Sequence, residues 1–333
     1  MLKWPKSLPD EIEVEVTTRC HLRCRHCEHT HWAEPGIDMP FGEFKRILDQ
    51  LPSLRWIGLT GIGESFLHPD FLEMLAYCKG RGAYVELYDN YCLIDSIVGK
   101  ELVKLRIDRI FASLDAATAS TYEALRVGAK WDKTMANVEG LVKAKRDARS
   151  LVPAMPLHYI VTQANMAEVD EFFRLARQLQ PGVVGSRDAA VQLTRMLHFY
   201  PEAEGLYCEV PPEWRDWAEA EARATGINLW WNLDARSPKP PMARCTEHRQ
   251  PFVFATGHVI QCCSQNEGNR REWQKRMAMG NAFEEPLADI WNGLRYRELR
   301  QLLKQGQMPE ACKDCCLFEG KEKKDISSTL SYS

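Results

Sequence analysis

Cys20-His21-Leu22-Arg23-Cys24-Arg25-His26-Cys27 places three thiols in the spacing C-x3-C-x2-C. The stretch follows Glu11-Ile12-Glu13-Val14-Glu15-Val16, whose alternation reads as a first strand. Three thiolates this close can converge on one metal centre. Three is also one short of the set that a closed all-thiolate zinc site or an ordinary iron–sulfur site uses. Spacing alone leaves two readings open. One is zinc completed by His21, His26 or His29. The other is a [4Fe–4S] cluster whose fourth iron is left for a further ligand.

The rest of the composition narrows the class. The chain has 333 residues, 45% of them hydrophobic, enough for one large domain and a smaller one. A formal net charge of −3 gives no general polyanion-binding surface, which argues against a nucleic-acid partner. No apolar run approaches the roughly 18 residues of a membrane span, and Met1-Leu2-Lys3-Trp4-Pro5 opens no signal-peptide core. The expected location is the cytoplasm, with no membrane partner. Twelve cysteines in such a chain argue for metal binding rather than disulfides. Nine of them form two groups: Cys20, Cys24 and Cys27, then Cys245, Cys262, Cys263, Cys312, Cys315 and Cys316. Cys78, Cys92 and Cys208 are scattered and read as small buried hydrophobes.

Working outward from the cysteine loop, strand-like stretches at 11–17, 55–60, 83–88, 107–114, 157–162 and 182–194 alternate with helix-like ones. The helical stretches are 40–51, 69–80, 95–105, 118–126 with 132–148, and 166–179. This alternation predicts an α/β fold with parallel strands and crossover helices. Six units make a partial (β/α)6 barrel; a doubly wound open sheet is the alternative. In either, ligands gather at the C-terminal ends of the strands, where the cysteine loop lies. The expected division is 1–195 for this alternating domain and 196–244 for a bridge. A cysteine-bearing module at 245–318 and a polar tail at 319–333 follow.

C-x3-C-x2-C after a first strand resembles the radical S-adenosylmethionine (SAM) superfamily. That resemblance implies a [4Fe–4S] cluster on Cys20, Cys24 and Cys27, with SAM on the open iron. It also implies reductive cleavage of SAM to a 5′-deoxyadenosyl radical that abstracts hydrogen from a substrate. Thr60-Gly61-Ile62-Gly63-Glu64-Ser65 is similar to the family's G-x-G-E-P motif, with serine for proline, and implies SAM binding by Gly61, Gly63 and Glu64. His68-Pro69-Asp70 continues the likeness and is expected to cap the next helix. Ala112-Ser113-Leu114-Asp115 resembles the S-x-D segment, with Ser113 as a SAM contact and Asp115 as either a contact or a helix cap. Arg126 is expected to meet the SAM carboxylate or to end a helix in solvent, and Asn165 matches a family asparagine whose bland role is capping. Asp89-Asn90-Tyr91-Cys92 departs from Thr-Asn-Gly, placing a phenol and a thiol near the barrel mouth, where Tyr91 either packs or shapes a pocket.

The C-terminal cysteines alone fit zinc or iron–sulfur equally well. With Met279-Gly280-Asn281-Ala282-Phe283, Leu287-Ala288-Asp289-Ile290-Trp291-Asn292 and the closing C-x2-C, they resemble a SPASM domain or its shortened twitch form. The resemblance implies one auxiliary [4Fe–4S] cluster on Cys245, Cys262, Cys312 and Cys315, with Cys263 and Cys316 as possible replacements for their neighbours. The first strand begins close to Met1, without the long extension that binds leader peptides in many relatives. The expected substrate is therefore a small molecule such as a sugar or aminocyclitol, oxidised with the auxiliary cluster as electron acceptor. A flavodoxin or ferredoxin is the implied electron donor. A peptide-modifying maturase and a redox-neutral epimerase or decarboxylase are the alternatives. From another class comes a zinc-stapled binding protein without catalysis.

Overall fold

The computed structural model of the chain describes residues 8–31, 33–179, 190–196, 200–233, 245, 247–263 and 271–312. Cys315, Cys316 and the polar tail lie outside them, as does the first part of the strand expected at 182–194. Twelve strands are described: β1 Glu11–Val14, β2 Arg23–Cys24, β3 Trp56–Leu59, β4 Tyr84–Asp89, β5 Arg109–Ser113, β6 Arg126–Val127, β7 Leu157–Val161, β8 Ala190–Arg195, β9 Asn228–Asn232, β10 Phe252–Val253, β11 His258–Ile260 and β12 Gly280–Asn281. The helices are α1 Phe41–Asp49, α2 Phe71–Gly80, α3 Ser96–Leu105, α4 Ala119–Leu125, α5 Trp131–Asp147, α6 Val169–Leu179, α7 Pro212–Thr225, α8 Arg271–Met277, α9 Leu287–Trp291 and α10 Leu294–Lys304.

Local chemistry sets several of these ends. The Asp95 carboxylate accepts from the backbone N–H groups of Ile97 and Val98, both at 2.9 Å, and starts α3. α7 opens on Pro212 and closes on Gly226 at φ +74°, the left-handed stop that glycine takes without a Cβ clash. α6 buries Val169, Phe172, Phe173, Ala176 and Leu179, the stripe its sequence predicts.

One ten-stranded sheet carries the fold, in the order β12-β11-β10-β1-β3-β4-β5-β7-β8-β9. From β10 through β9 every pairing is parallel. Ile12, Val14, Ile57, Leu59, Val85 and Leu87 are fully buried on one face of the sheet. The other face is concave. Tyr88 on β4 donates to Gln192 on β8 at 3.1 Å, although these strands are three places apart in the order. A flat sheet would hold them about 14 Å apart, so the sheet curls into a partial barrel.

Two features differ from the simple division expected from sequence. The segment read as a bridge contributes β9, which pairs parallel to β8. The C-terminal cysteine module also joins the sheet: β10 pairs with β1, Glu13 opposite Phe252, and β11 and β12 follow as an antiparallel meander. The module therefore docks on the strand that launches the cysteine loop.

Candidate active site

The cysteine loop leaves β1 at the C-terminal mouth of the sheet. Cys24 is buried, and Cys20 and Cys27 are half-buried. The loop is laced to the barrel. Arg25 donates its N–H to Leu125 O at 2.8 Å, and Thr30 Oγ1 donates to Cys24 O at 2.6 Å. Cys24 lies opposite Arg126 in the two-residue antiparallel ribbon β2–β6. Arg19 grips Asp38 with two parallel bonds, Nε to Oδ1 at 2.9 Å and Nη2 to Oδ2 at 2.7 Å. Burial raises all three thiols, Cys24 to about 11. Protonated thiols in this setting become good ligands when a cationic metal centre offsets the charge they would otherwise bury.

Among the described residues no three His, Cys, Asp or Glu side chains converge closely enough to hold a single metal ion. A cubane takes each thiolate on a different iron, so its ligands need not meet at one point. Of the three histidines that a zinc reading would recruit, two are engaged elsewhere. His29 Nε2 lies 2.9 Å from Thr18 O, and His26 Nε2 lies 3.0 Å from Asp115 Oδ2. The donor set of three thiols fits a four-iron cluster with one open iron.

The 61–68 loop packs against the cysteine loop. A Cβ on Gly63 would sit 2.3 Å from Thr17 O and 2.8 Å from Arg19 O, so glycine here admits a neighbouring backbone. Glu64 donates its N–H to Arg19 O at 2.7 Å. Its carboxylate is buried against Asn90, whose side-chain amide donates to Oε2. Asp89 lies against it, with Oδ1 taken by Tyr91 N–H at 2.6 Å and its carboxyl in hydrogen-bond contact with that of Glu64. Burial first, and the neighbouring Asp89 second, push Glu64 well above the usual carboxylate range. Asp89 is raised as well, chiefly by burial. Two buried acids side by side suit a cationic ammonium, the group SAM presents. Sequence reading named Glu64 and missed Asp89.

His68 does not cap through Asp70, which makes no side-chain cap bond. Instead His68 Nδ1 accepts from Asp70 N–H at 3.1 Å, leaving Nε2–H to donate to Met39 O at 2.8 Å. Tyr91 adopts φ +60° where the family motif has glycine, and it is fully buried. It packs, with its hydroxyl 3.3 Å from Ile110 O, and Asn137 donates to its carbonyl at 2.8 Å.

Asp115 is the buried hub. It sits at φ +58°, a region asparagine and aspartate tolerate better than other non-glycine residues. Asn165 Nδ2 donates to its carbonyl at 2.9 Å, so this asparagine holds a turn rather than capping a helix. Ile160 N–H donates to Oδ1 at 2.7 Å. Arg126 and His26 share Oδ2. Burial alone would raise this carboxyl, but Arg126 and then His26 outweigh it and hold it well below the usual range. Arg126 is thus buried rather than solvated, one Nη on Asp115 and Nε without a partner. Ser113 ends β5, half-buried at the same mouth.

The concave face supplies residues that sequence reading passed over. Tyr88 stacks on Phe111 with ring centroids 4.2 Å apart, and Trp230 and His158 meet this pair edge-on. His158 Nε2 lies 2.7 Å from Thr194 Oγ1, and burial lowers His158 to about 4, leaving the imidazole neutral. Arg109 pairs with Glu86 at 2.8 Å. The available signal was alternation: Glu11, Glu13 and Glu15, then Tyr84, Glu86 and Tyr88, put polar groups on one face of strands whose other face is apolar.

In the C-terminal module, Cys262 and Cys312 are buried and Cys245 half-buried, while Cys315 lies outside the described residues. Arg300 stands over the Trp291 ring at 4.1 Å, so the Ile-Trp-Asn segment is a packing element of the module.

A curved parallel α/β sheet with a three-thiol loop and a buried acid pair at one mouth defines an iron–sulfur enzyme of the partial-barrel class. The comparisons with known proteins name its family. Residues 14–176 match the radical SAM superfamily, and residues 245–316 match SPASM, an iron–sulfur cluster-binding domain. The chain belongs to the radical SAM superfamily and carries a C-terminal SPASM domain. Membership brings a [4Fe–4S] cluster and SAM to the barrel and auxiliary iron–sulfur binding to the SPASM domain.

The chain is 26% identical to a tungsten-containing aldehyde ferredoxin oxidoreductase cofactor-modifying protein of Pyrococcus furiosus, over 92% of this chain and 87% of that one. It is 25% identical to a PqqA peptide cyclase of Gluconobacter oxydans, over 93% and 83%. Its fold is similar to that of SuiB from Streptococcus suis bound to S-adenosylmethionine, with a TM-score of 0.70, 14% identity and coverage of 95% and 77%. No described helix is long and apolar enough to cross a membrane.

Proposed function

We propose that this radical SAM enzyme modifies a peptide, with SAM held between the cysteine loop and the Glu64–Asp89 acid pair. The observation carrying the SAM part is that pair: Glu64, on a loop whose backbone is bonded to Arg19 just before the cysteine loop, and Asp89 at the end of β4, two buried carboxyl groups side by side. Cys20, Cys24 and Cys27 hold the cluster in this reading, and Cys245, Cys262, Cys312 and Cys315 hold one auxiliary cluster. Gly61 and Gly63 shape the SAM loop, Glu64 takes the SAM ammonium, and Ser113 and the open Nε edge of Arg126 face the rest of SAM. When bound, the cluster and SAM together supply a 5′-deoxyadenosyl radical able to abstract hydrogen. The chain's own part is to orient SAM, bury the site and present the concave polar face to the substrate.

Support for a peptide comes from the similarity to a PqqA peptide cyclase along nearly the whole of this chain. It outweighs the sugar or aminocyclitol expected from sequence. The similarity to a cofactor-modifying protein favours a second reading, action on a cofactor precursor. The test is anaerobic turnover of the reconstituted enzyme with SAM, a low-potential reductant and a panel of short peptides, followed by mass spectrometry. A mass change in a peptide that tracks 5′-deoxyadenosine supports the proposal. Release of 5′-deoxyadenosine coupled only to sugars or to cofactor precursors overturns the peptide assignment.

A further inference from the structure

Glu15 follows β1 and is 1% exposed. Three separate chain segments donate to its carboxylate. Ile62 gives its backbone N–H to Oε2 at 3.0 Å. Arg271, the first residue of α8, gives Nη2 to the same oxygen at 2.9 Å. Ala255, in the turn between β10 and β11, gives its N–H to Oε1 at 3.3 Å. Gly61 makes room for this arrangement, since a Cβ there would lie 2.4 Å from Glu15 Cγ. That glycine therefore has a packing reason to lack a side chain.

The two ends of the 61–64 loop are therefore set differently. Glu64 N–H is tied to the cysteine loop through Arg19 O. Ile62 N–H is tied to a carboxylate whose charge is matched from the C-terminal module. Arg271 is itself buried, and its guanidinium lies 3.7 Å above the centroid of the Phe254 ring. One turn further along α8, Lys275 Nζ bonds Glu34 at 2.9 Å, just beyond the cysteine loop. A neutral acceptor would suffice for Ile62 alone. A buried carboxylate in this place requires a cation, and α8 provides it.

We infer that Glu15 is a positioning residue that makes the SAM-binding loop depend on the C-terminal module, with Arg271 as the module's side of the link. Loading or loosening the module then alters the order of the 61–64 loop without any contact between the module and SAM. The inference rests on the assignment of Glu64 to SAM, and the two measurements below separate the two ideas.

The test uses the full-length reconstituted enzyme and the variants Glu15→Gln and Arg271→Lys. Lysine keeps the charge but loses the planar guanidinium that lies over Phe254. Amide hydrogen exchange at Ile62 is compared with that at Leu87 and Phe111 in the neighbouring strands. SAM affinity is measured by equilibrium dialysis, alongside iron content. The expected result is faster exchange at Ile62 than at the two reference amides, SAM binding weakened about tenfold, and unchanged iron.

Equal acceleration at all three amides means general destabilisation and overturns the inference. So does unchanged exchange at Ile62. Faster exchange with intact SAM affinity also overturns it, and intact affinity in Glu64→Gln would then place the fault in the Glu64 assignment. Should Arg271→Lys not fold, the double variant Glu15→Gln with Arg271→Met leaves no unmatched buried charge and is read in the same way.

Discussion

Arg126 lies opposite Cys24 across the β2–β6 ribbon and gives its guanidinium to Asp115 just beyond β5. The middle thiol of the cysteine loop is thereby fixed to a buried charge network. Burial raises the Cys24 thiol, and the nearby Arg126 charge works against that rise. His26, between Cys24 and Cys27, closes the network on the same carboxylate.

Replacing Asp115 with asparagine should keep the turn, because asparagine tolerates φ near +58°. It should leave Arg126 buried without its counter-charge and cost about 3–5 kcal/mol in urea unfolding of the apoprotein. The pH dependence has a definite sign. The carboxyl is held lower when folded than when unfolded, so its contribution is present above about pH 4. It is lost as pH falls toward the folded value. Asp115→Asn should lack this loss; an unchanged acid slope would remove Asp115 as its source.

The acid pair predicts a trade between stability and binding. Glu64 is raised when folded, so its contribution to apoprotein stability is greatest below about pH 4.3 and declines as pH rises toward the folded value. Glu64→Gln should remove that decline and leave the apoprotein at least as stable at neutral pH. The same change should weaken SAM by about tenfold or more, the scale of one charge-assisted hydrogen bond. Thermal melts and SAM titrations on one preparation check both halves. A less stable apoprotein with full SAM affinity would contradict both.

Two glycines should respond oppositely to alanine. Gly63→Ala drives a Cβ into the Thr17 and Arg19 carbonyls, backbone atoms that cannot swing aside. A loss of about 1–3 kcal/mol is expected, together with poorer retention of iron. Gly140 lies inside α5 with open space where its Cβ would be. Gly140→Ala should add up to about 1 kcal/mol. Chemical denaturation of both variants reads the difference.

Changing Cys20, Cys24 and Cys27 together to alanine should leave about half the iron if each cysteine group holds one four-iron cluster. Full iron in a folded triple variant would show that this loop is not the ligand set. Circular dichroism must accompany the assay, because a lost metal staple can unfold the chain around it.

Much was legible in the linear pattern. The three-thiol spacing, the alternation of strands and helices, and Glu64 two residues after Ile62 are local features. Each follows from backbone periodicity or from ligand chemistry within a few residues. The stripe on α6 and the stop at Gly226 belong to the same kind.

What the sequence determined by itself was the class of chemistry and the type of fold, because thiol spacing and hydrophobic period are properties of neighbouring residues. Only the tertiary structure decided which distant groups share a charge. Asp89 meets Glu64 across two strands, His26 and Arg126 meet at Asp115, and Glu15 meets Arg271 across 256 positions. It also decided why Gly61 is glycine, since the side chain occupying its space, that of Glu15, comes from just beyond β1. The reason is physical. A buried charge is stable only beside its counter-charge, and curvature of the sheet, which no local pattern encodes, selects the residues brought together inside it.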